Sequence, residues 1–212
     1  MVYEARKKKP RARNADPGAA PTRASLHEAA LSYLARGSAS ADSVVKTLQR
    51  RIGNWARRAT RAGRDAETVA HDVAAARELI AAIVGRLSEV GLVNDTAFAE
   101  TRAKRMSSAG RSRRAISAHL KQKGVDAATV REAVPSDAST ELAAAIAFAR
   151  KRRLGPFARA EEEVATRDEK RAAERKALGT MARAGFDFGV CERVLRMDRD
   201  DADERLRDRR EF

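Results

Sequence analysis

A single cysteine, Cys191, is too few for an intramolecular disulfide, and its place among apolar helical positions marks it as a core thiol rather than a nucleophile. Aromatic residues make up only 4% of the chain, with one tryptophan. That scarcity argues against one thick core and for several thin helical interfaces. It also argues against a single-strand binder that stacks bases on aromatic platforms. No apolar run approaches the ~18 residues of a membrane span, and the charged N-terminus lacks the apolar stretch of a secretory signal. A reducing cytoplasm is the expected setting. The histidines, His27, His71 and His119, have no second histidine at a metal-ligand spacing, so no metal site is expected. His119, beside Leu120, reads as the edge of a core. Asp187-Phe188-Gly189 spells the DFG of protein kinases, but no glycine-rich strand or catalytic loop precedes it, and the aspartate suits a helix cap better. No Walker-type phosphate loop, nucleophile elbow or other catalytic constellation is present, and Glu161, Glu162 and Glu163 read as a solvated charge run. A binding protein without a cofactor is expected, not an enzyme.

What the chain has is positive charge and helix-forming residues. The net charge is +14, with 35% of residues charged. Charge of one sign on this scale opposes compaction and points to a polyanionic partner, nucleic acid or a nucleoprotein, unless it serves only solubility. Alanine, leucine and arginine dominate and β-branched runs are scarce, so the fold class is all-α.

The organising stretch is Ser112 to Val134, SRRAISAHLKQKGVDAATVREAV. Ile116 and Leu120 share a helical face, Gly124 stops the helix, and Val125 folds back onto its last turn. Asp126 caps a second helix carrying Val130 and Val134. About 61 residues later the unit recurs, with Met181, Gly185, Phe186, Asp187, Cys191 and Leu195 in the matching places. A looser echo spans Val84 to Asp95, where Gly91 and Leu92 take the glycine and apolar places. Repeated helical units of this kind stack on their neighbours.

Read in order, residues 1–24 form a basic, proline-punctuated arm expected to be disordered, in which Lys7, Lys8, Lys9 and Arg11 are candidate phosphate contacts or simply a solvated tail. Residues 25–94 form a first repeat: a helix from Ser25 to Arg36, a second capped by Ser40 and broken at Gly63, and a third over Ala66 to Val90. Trp55 is a core anchor or a partial surface contact, with its size and type favouring the core. Residues 95–136 form a second repeat, starting with a helix over Thr96 to Met106 and a loop at Ser107 to Gly110. Residues 137–198 form a third, capped by Asp137 or Ser139, and 199–212 a charged tail or frayed helix. The second repeat holds the densest structured basic patch: Arg102 and Arg105 on one edge, then Arg111, Arg113 and Arg114 at a helix N-terminus, followed by Lys121 and Lys123. Cations at a helix N-terminus oppose its dipole, which suggests that they serve a partner, a solvated cluster being the plain alternative.

Leu92, Asn94, Asp95, Phe98 and Ala99, continued by Arg102, Gly110, Ile116, Leu120, Lys123, Gly124 and Val125, resemble the signature of the RecX regulators. The likeness is strong over residues 91–134, moderate over 181–195, and over the first repeat rests on helix order. It implies three tandem three-helix repeats in an elongated, curved molecule. It implies binding to the RecA–DNA filament, along its groove, with inhibition of filament growth, ATP hydrolysis and strand exchange. On the matched positions it makes Asp95, Phe98 and Gly124 structural and Arg102 a contact residue. The chain departs from the family pattern in the roughly thirty residues between Leu48 and Ile80 and in a stretched segment around Arg159 to Ala177. The expected partners are the recombinase filament and single- or double-stranded DNA met through basic faces, with no membrane, and the protein is expected to be a monomer. A helical DNA-binding protein without a recombinase partner, or an adaptor for another protein, are the competing readings.

Overall fold

The computed structural model describes residues 16–158 and 166–208. Among them all regular structure is helical: α1 Arg23–Leu34, α2 Ala41–Arg61, α3 Ala66–Glu89, α4 Asp95–Ser108, α5 Arg113–Gln122, α6 Ala127–Ala133, α7 Ala138–Arg152, α8 Arg167–Arg183, α9 Phe188–Leu195 and α10 Arg199–Asp208, with a 3-10 turn at Gly155–Phe157. The chain divides into two compact units between Val93 and Asn94.

In the first unit, α2 and α3 form a long helical hairpin with α1 packed on its base. The α2 residues Val44, Leu48, Ile52, Trp55 and Ala59 recur every three or four positions and are buried. They face Val69, Ala76, Ile80, Ile83, Val84 and Leu87 of α3 at the same spacing. Leu26 and Ala30 of α1 complete the core at one end. Beyond α1 a smaller cluster, Trp55, Ala59 and Val69, holds the hairpin's far part together. The lengthening of α2 and α3 in the sequence is therefore a real extension with its own core. Trp55 is core, 2% exposed, its indole N–H donating to the Gly18 carbonyl at 3.3 Å. The first helix begins earlier than its sequence suggests, because Thr22 and Ser25 form a reciprocal capping box.

The second unit contains two successive three-helix groups, α4–α6 and α7–α9. Phe98, Ala99, Ala103, Ile116, Leu120, Val125, Val130 and Val134 form the core of the former. Leu142, Ala145, Ile146, Phe157, Met181, Phe186, Cys191 and Val194 belong to that of the latter. The corner recognised in the sequence is the same in both. Gly124 (φ 77°) donates to the Lys121 carbonyl and Val125 to that of Leu120; Gly185 (φ 93°) donates to Ala182 and Phe186 to Met181. Val125 and Phe186, both 4% exposed, fold back onto the preceding turn.

Several expectations change. Leu92 is 53% exposed and Val93 is buried instead, because one more residue separates Gly91 from its following cap, Asn94. Asp126 caps α6 through the amides of Ala128 and Thr129, whereas Asp187 occupies the cap position of α9 without a side-chain capping bond. Ser107 and Ser108 continue α4 rather than opening a loop. The segment read as a charged tail or frayed helix forms α10 as far as Asp208 and is packed: Ala202 is fully buried in the α7–α9 core, and Arg150 pairs with Asp203 at 3.4 Å. Its alternating charges conceal two apolar contacts, the buried Ala202 and the partly buried Leu206, too few to register as a hydrophobic stripe. The glutamate run at Glu161–Glu163 lies outside the described residues.

Candidate functional site

The basic patch of the second repeat is built on α5. Ile116 and Leu120 are buried and set the helix's orientation. At 100° per residue, Arg113, Ser117 and Lys121 then fall on one flank of this buried line, and His119 and Lys123 on the other. The seven candidate cations divide accordingly.

On the His119 flank, Arg102 reaches across from α4, and its Nε donates to His119 Nε2 at 3.2 Å. That bond requires a neutral imidazole protonated at Nδ1. Burial, followed by the charges of Arg102, Lys123 and Arg111, lowers the His119 pKa from its ordinary value. The charges of three of the predicted cations thus act on one imidazole, and Arg102 alone bonds to it. Arg102 and Lys123 are half-buried and Arg111 is exposed. Sequence reasoning placed His119 at a core edge, as found, but missed that it joins these cations. Arg102 lies 17 positions away from it, so no local spacing announces the contact.

On the other flank, Arg113 and Lys121 line a shallow groove of about 320 Å³ with Arg131, over a floor that includes Val130, Val134 and Pro135. Arg131 was not among the sequence candidates. Arg113 is mostly committed to the fold. Its backbone amide donates to both Glu141 carboxylate oxygens, at 3.0 and 3.3 Å, and its Nη1 to the Ser136 carbonyl at 2.7 Å. Its Nε lies 3.6 Å from Glu141 Oε2. Glu141, from α7, is 4% exposed, and burial pushes its carboxyl upward despite Arg113. This carboxylate sits over the N-terminus of α5 and complements its dipole. The argument that cations there are uncompensated therefore fails for Arg113. Reversing Arg113 together with Arg111 and Arg114 is not a clean surface change, since it would set a second carboxylate against a buried one.

The same helix end is locked to the third repeat. Ser112 Oγ caps α5 through the Ala115 amide and donates to the Ala184 carbonyl at 2.6 Å. A Cβ on Gly185 would lie 2.7 Å from Ser112 Oγ and 3.3 Å from Arg114 Cβ. The stem of Arg114 therefore packs on Gly185, while the residue as a whole is exposed. Arg105 and Lys121 are also exposed. Lys7, Lys8, Lys9 and Arg11 lie outside the described residues. Among the described residues no group of three or more His, Cys, Asp or Glu side chains is placed to hold a metal ion, and no helix is long and apolar enough to cross a membrane.

The helices that carry this patch are the part of the chain most plainly shared with known proteins. Residues 94–134 match the model of the second three-helix domain of RecX. The regulatory protein RecX of Myxococcus xanthus is 36% identical over 173 residues, covering 80% of this chain and 83% of that protein. The chain belongs to the RecX family. RecX of Agrobacterium fabrum is also 36% identical, over 116 residues, 55% of this chain and 58% of that protein. RecX of Thermobifida fusca is 35% identical over 120 residues, 56% of this chain and 60% of its own length. A solved RecX crystal structure matches with a TM-score of 0.54 and 18% identity, covering 81% of this chain and 70% of the other, which shows a shared fold. These relatives are named regulatory proteins, and the corner residues Gly124 and Val125 of this chain lie inside the matched domain.

Proposed function

We propose that this protein regulates the RecA recombinase by docking on the RecA–DNA filament, in its helical groove, and inhibiting filament growth, ATP hydrolysis and strand exchange. Family membership supports the partner. The observation that carries the contact surface is the Arg102–His119 bond between α4 and α5, with the charges of Arg111 and Lys123 acting on the same imidazole, on the repeat that matches the RecX domain. Cations near a bond that ties two helices together meet an acidic protein surface or exposed phosphate with little reorganisation. Arg105, Arg114 and Lys121 extend this surface, and the arm residues Lys7, Lys8, Lys9 and Arg11 add phosphate contacts. Bridging of neighbouring recombinase subunits by successive repeats then resists the filament's nucleotide-linked rearrangement. The protein acts in the cytoplasm, as a monomer.

The test is Arg111→Glu with Arg114→Glu, keeping Arg113 for its structural bonds. Two reversed charges at an exposed rim lower filament co-sedimentation about tenfold, with the fold intact. Unchanged co-sedimentation would remove this face from the mechanism. Tight binding to bare duplex DNA, with none to the filament, would instead favour a DNA-binding protein without a recombinase partner.

A further inference from the structure

A second basic feature lies in the first unit, outside the residues that match the RecX domain. The segment from Pro17 to Thr22 runs beside α1 and α2 and leaves a groove of about 620 Å³. Arg36, in the turn after α1, and Arg50, Arg51 and Arg58 from α2 line it. All four are exposed, and none has an ion-pair partner among the described residues. The carboxylate lining the groove is that of Glu28. Arg51 and Arg58 stand seven positions apart, so their stems lie about 10 Å apart along one side of the helix. Residues 1–15, with their run of lysine and arginine, precede this groove directly in sequence.

We infer that this groove is a binding site for the sugar–phosphate backbone of a single nucleic-acid strand. Guanidinium groups match phosphate oxygens in geometry as well as charge. The groove's volume suits a short length of one strand, not a duplex. The aromatic residue beneath it is unavailable for base stacking, because Trp55 is 2% exposed, bonded to the Gly18 carbonyl and covered by the Arg64 guanidinium 5.8 Å from its ring. Recognition therefore falls on the backbone and is indifferent to sequence. An acidic polypeptide fits less well: bound peptides are anchored by apolar pockets or an open strand edge, and this helical groove offers neither, its large apolar group being sealed. The inference rests on the phosphate-contacting half of the function proposed above and is tested without a recombinase, so its failure leaves the filament contact of α4 and α5 standing.

The experiment measures fluorescence anisotropy of a labelled oligothymidine of about 20 nucleotides with the full-length protein over a salt series. Arg51→Glu with Arg58→Glu is compared with Arg77→Glu with Arg86→Glu, an equal charge change at exposed positions of α3 outside the groove. Each lost phosphate contact flattens the salt dependence by about 0.7, so the groove pair lowers the slope by about 1.4 and affinity about twentyfold at ~0.1 M salt. The α3 pair changes both far less. Equal losses from the two pairs, or no loss from the groove pair, would overturn the assignment. So would displacement of the oligothymidine from the wild type, but not from the groove variant, by polyglutamate more effectively than by unlabelled oligothymidine.

Discussion

Removing the Glu141 carboxylate tests how the basic end of α5 is held. Glu141→Ala leaves the Arg113 amide without its acceptor in a part-buried setting, which costs about 1–3 kcal/mol, and takes away the anion facing the helix dipole, worth about another 0.5 kcal/mol. Glu141→Gln keeps an amide oxygen to accept the same N–H and loses only the charge. That charge is a mixed asset. Burial raises the Glu141 pKa in spite of the Arg113 guanidinium, so ionisation costs the folded state more than the pairing returns. A folded pKa above the unfolded one means that stability falls as pH rises between the two values. Glutamine does not titrate, so Glu141→Gln gains on the wild type across that window and stays within about 0.5 kcal/mol of it at neutral pH. Urea unfolding of the full chain, together with hydrogen exchange of the Arg113 amide, provides the assay. The alanine variant loses about 1.5–3.5 kcal/mol and the amide's protection, and the glutamine variant keeps both. Equal losses in the two would show that the ion pair, not the acceptor, holds the helix end, and no loss in either would refute the reasoning.

Gly185→Ala combines a left-handed backbone penalty of about 1–2 kcal/mol with a steric conflict at Ser112 Oγ, for a total of about 2–4 kcal/mol, whereas Gly91→Ala, where an added Cβ meets open space, incurs the backbone penalty alone. Equal urea midpoints for the two would show that the Ser112–Ala184 junction yields freely. His119 is held neutral in the fold below its ordinary pKa; its contribution to stability is full above about pH 6.5 and is lost as pH falls from there toward the lowered folded value. Binding of a polyanion to Arg102, Arg111 and Lys123 relieves the repulsion, so an NMR titration of the imidazole is expected to show its pKa rising in the complex. An unmoved pKa would mean that the partner docks elsewhere. Arg111→Glu with Arg114→Glu weakens filament binding about tenfold while leaving the urea midpoint near that of the wild type.

The all-α class and the helix–glycine–apolar–aspartate corner were legible because they depend on local rules: four-residue apolar spacing, a positive-φ glycine and an N-capping side chain. The corner's failures are informative for the same reason. At Gly91 the pattern was matched by position, and a single extra residue before Asn94 transferred burial from Leu92 to Val93. Asp187 has the residue type of a cap without the bond. The site was legible only as a list of cations. Which of them are free and which are structural depends on Glu141 and His119, located 28 and 17 positions from Arg113 and Arg102 respectively. Such long-range pairing leaves no trace in periodicity. The packing of α10 was hidden too, because Ala202 and Leu206 among charged neighbours are enough to anchor a short helix.

The most direct test of the account is the single-stranded-DNA-dependent ATPase of the cognate RecA, titrated with this protein. Regulation of the filament predicts inhibition at well below one molecule per recombinase subunit, relieved by Arg111→Glu with Arg114→Glu. An ATPase unaffected at stoichiometric protein, with bare DNA still bound, would contradict it.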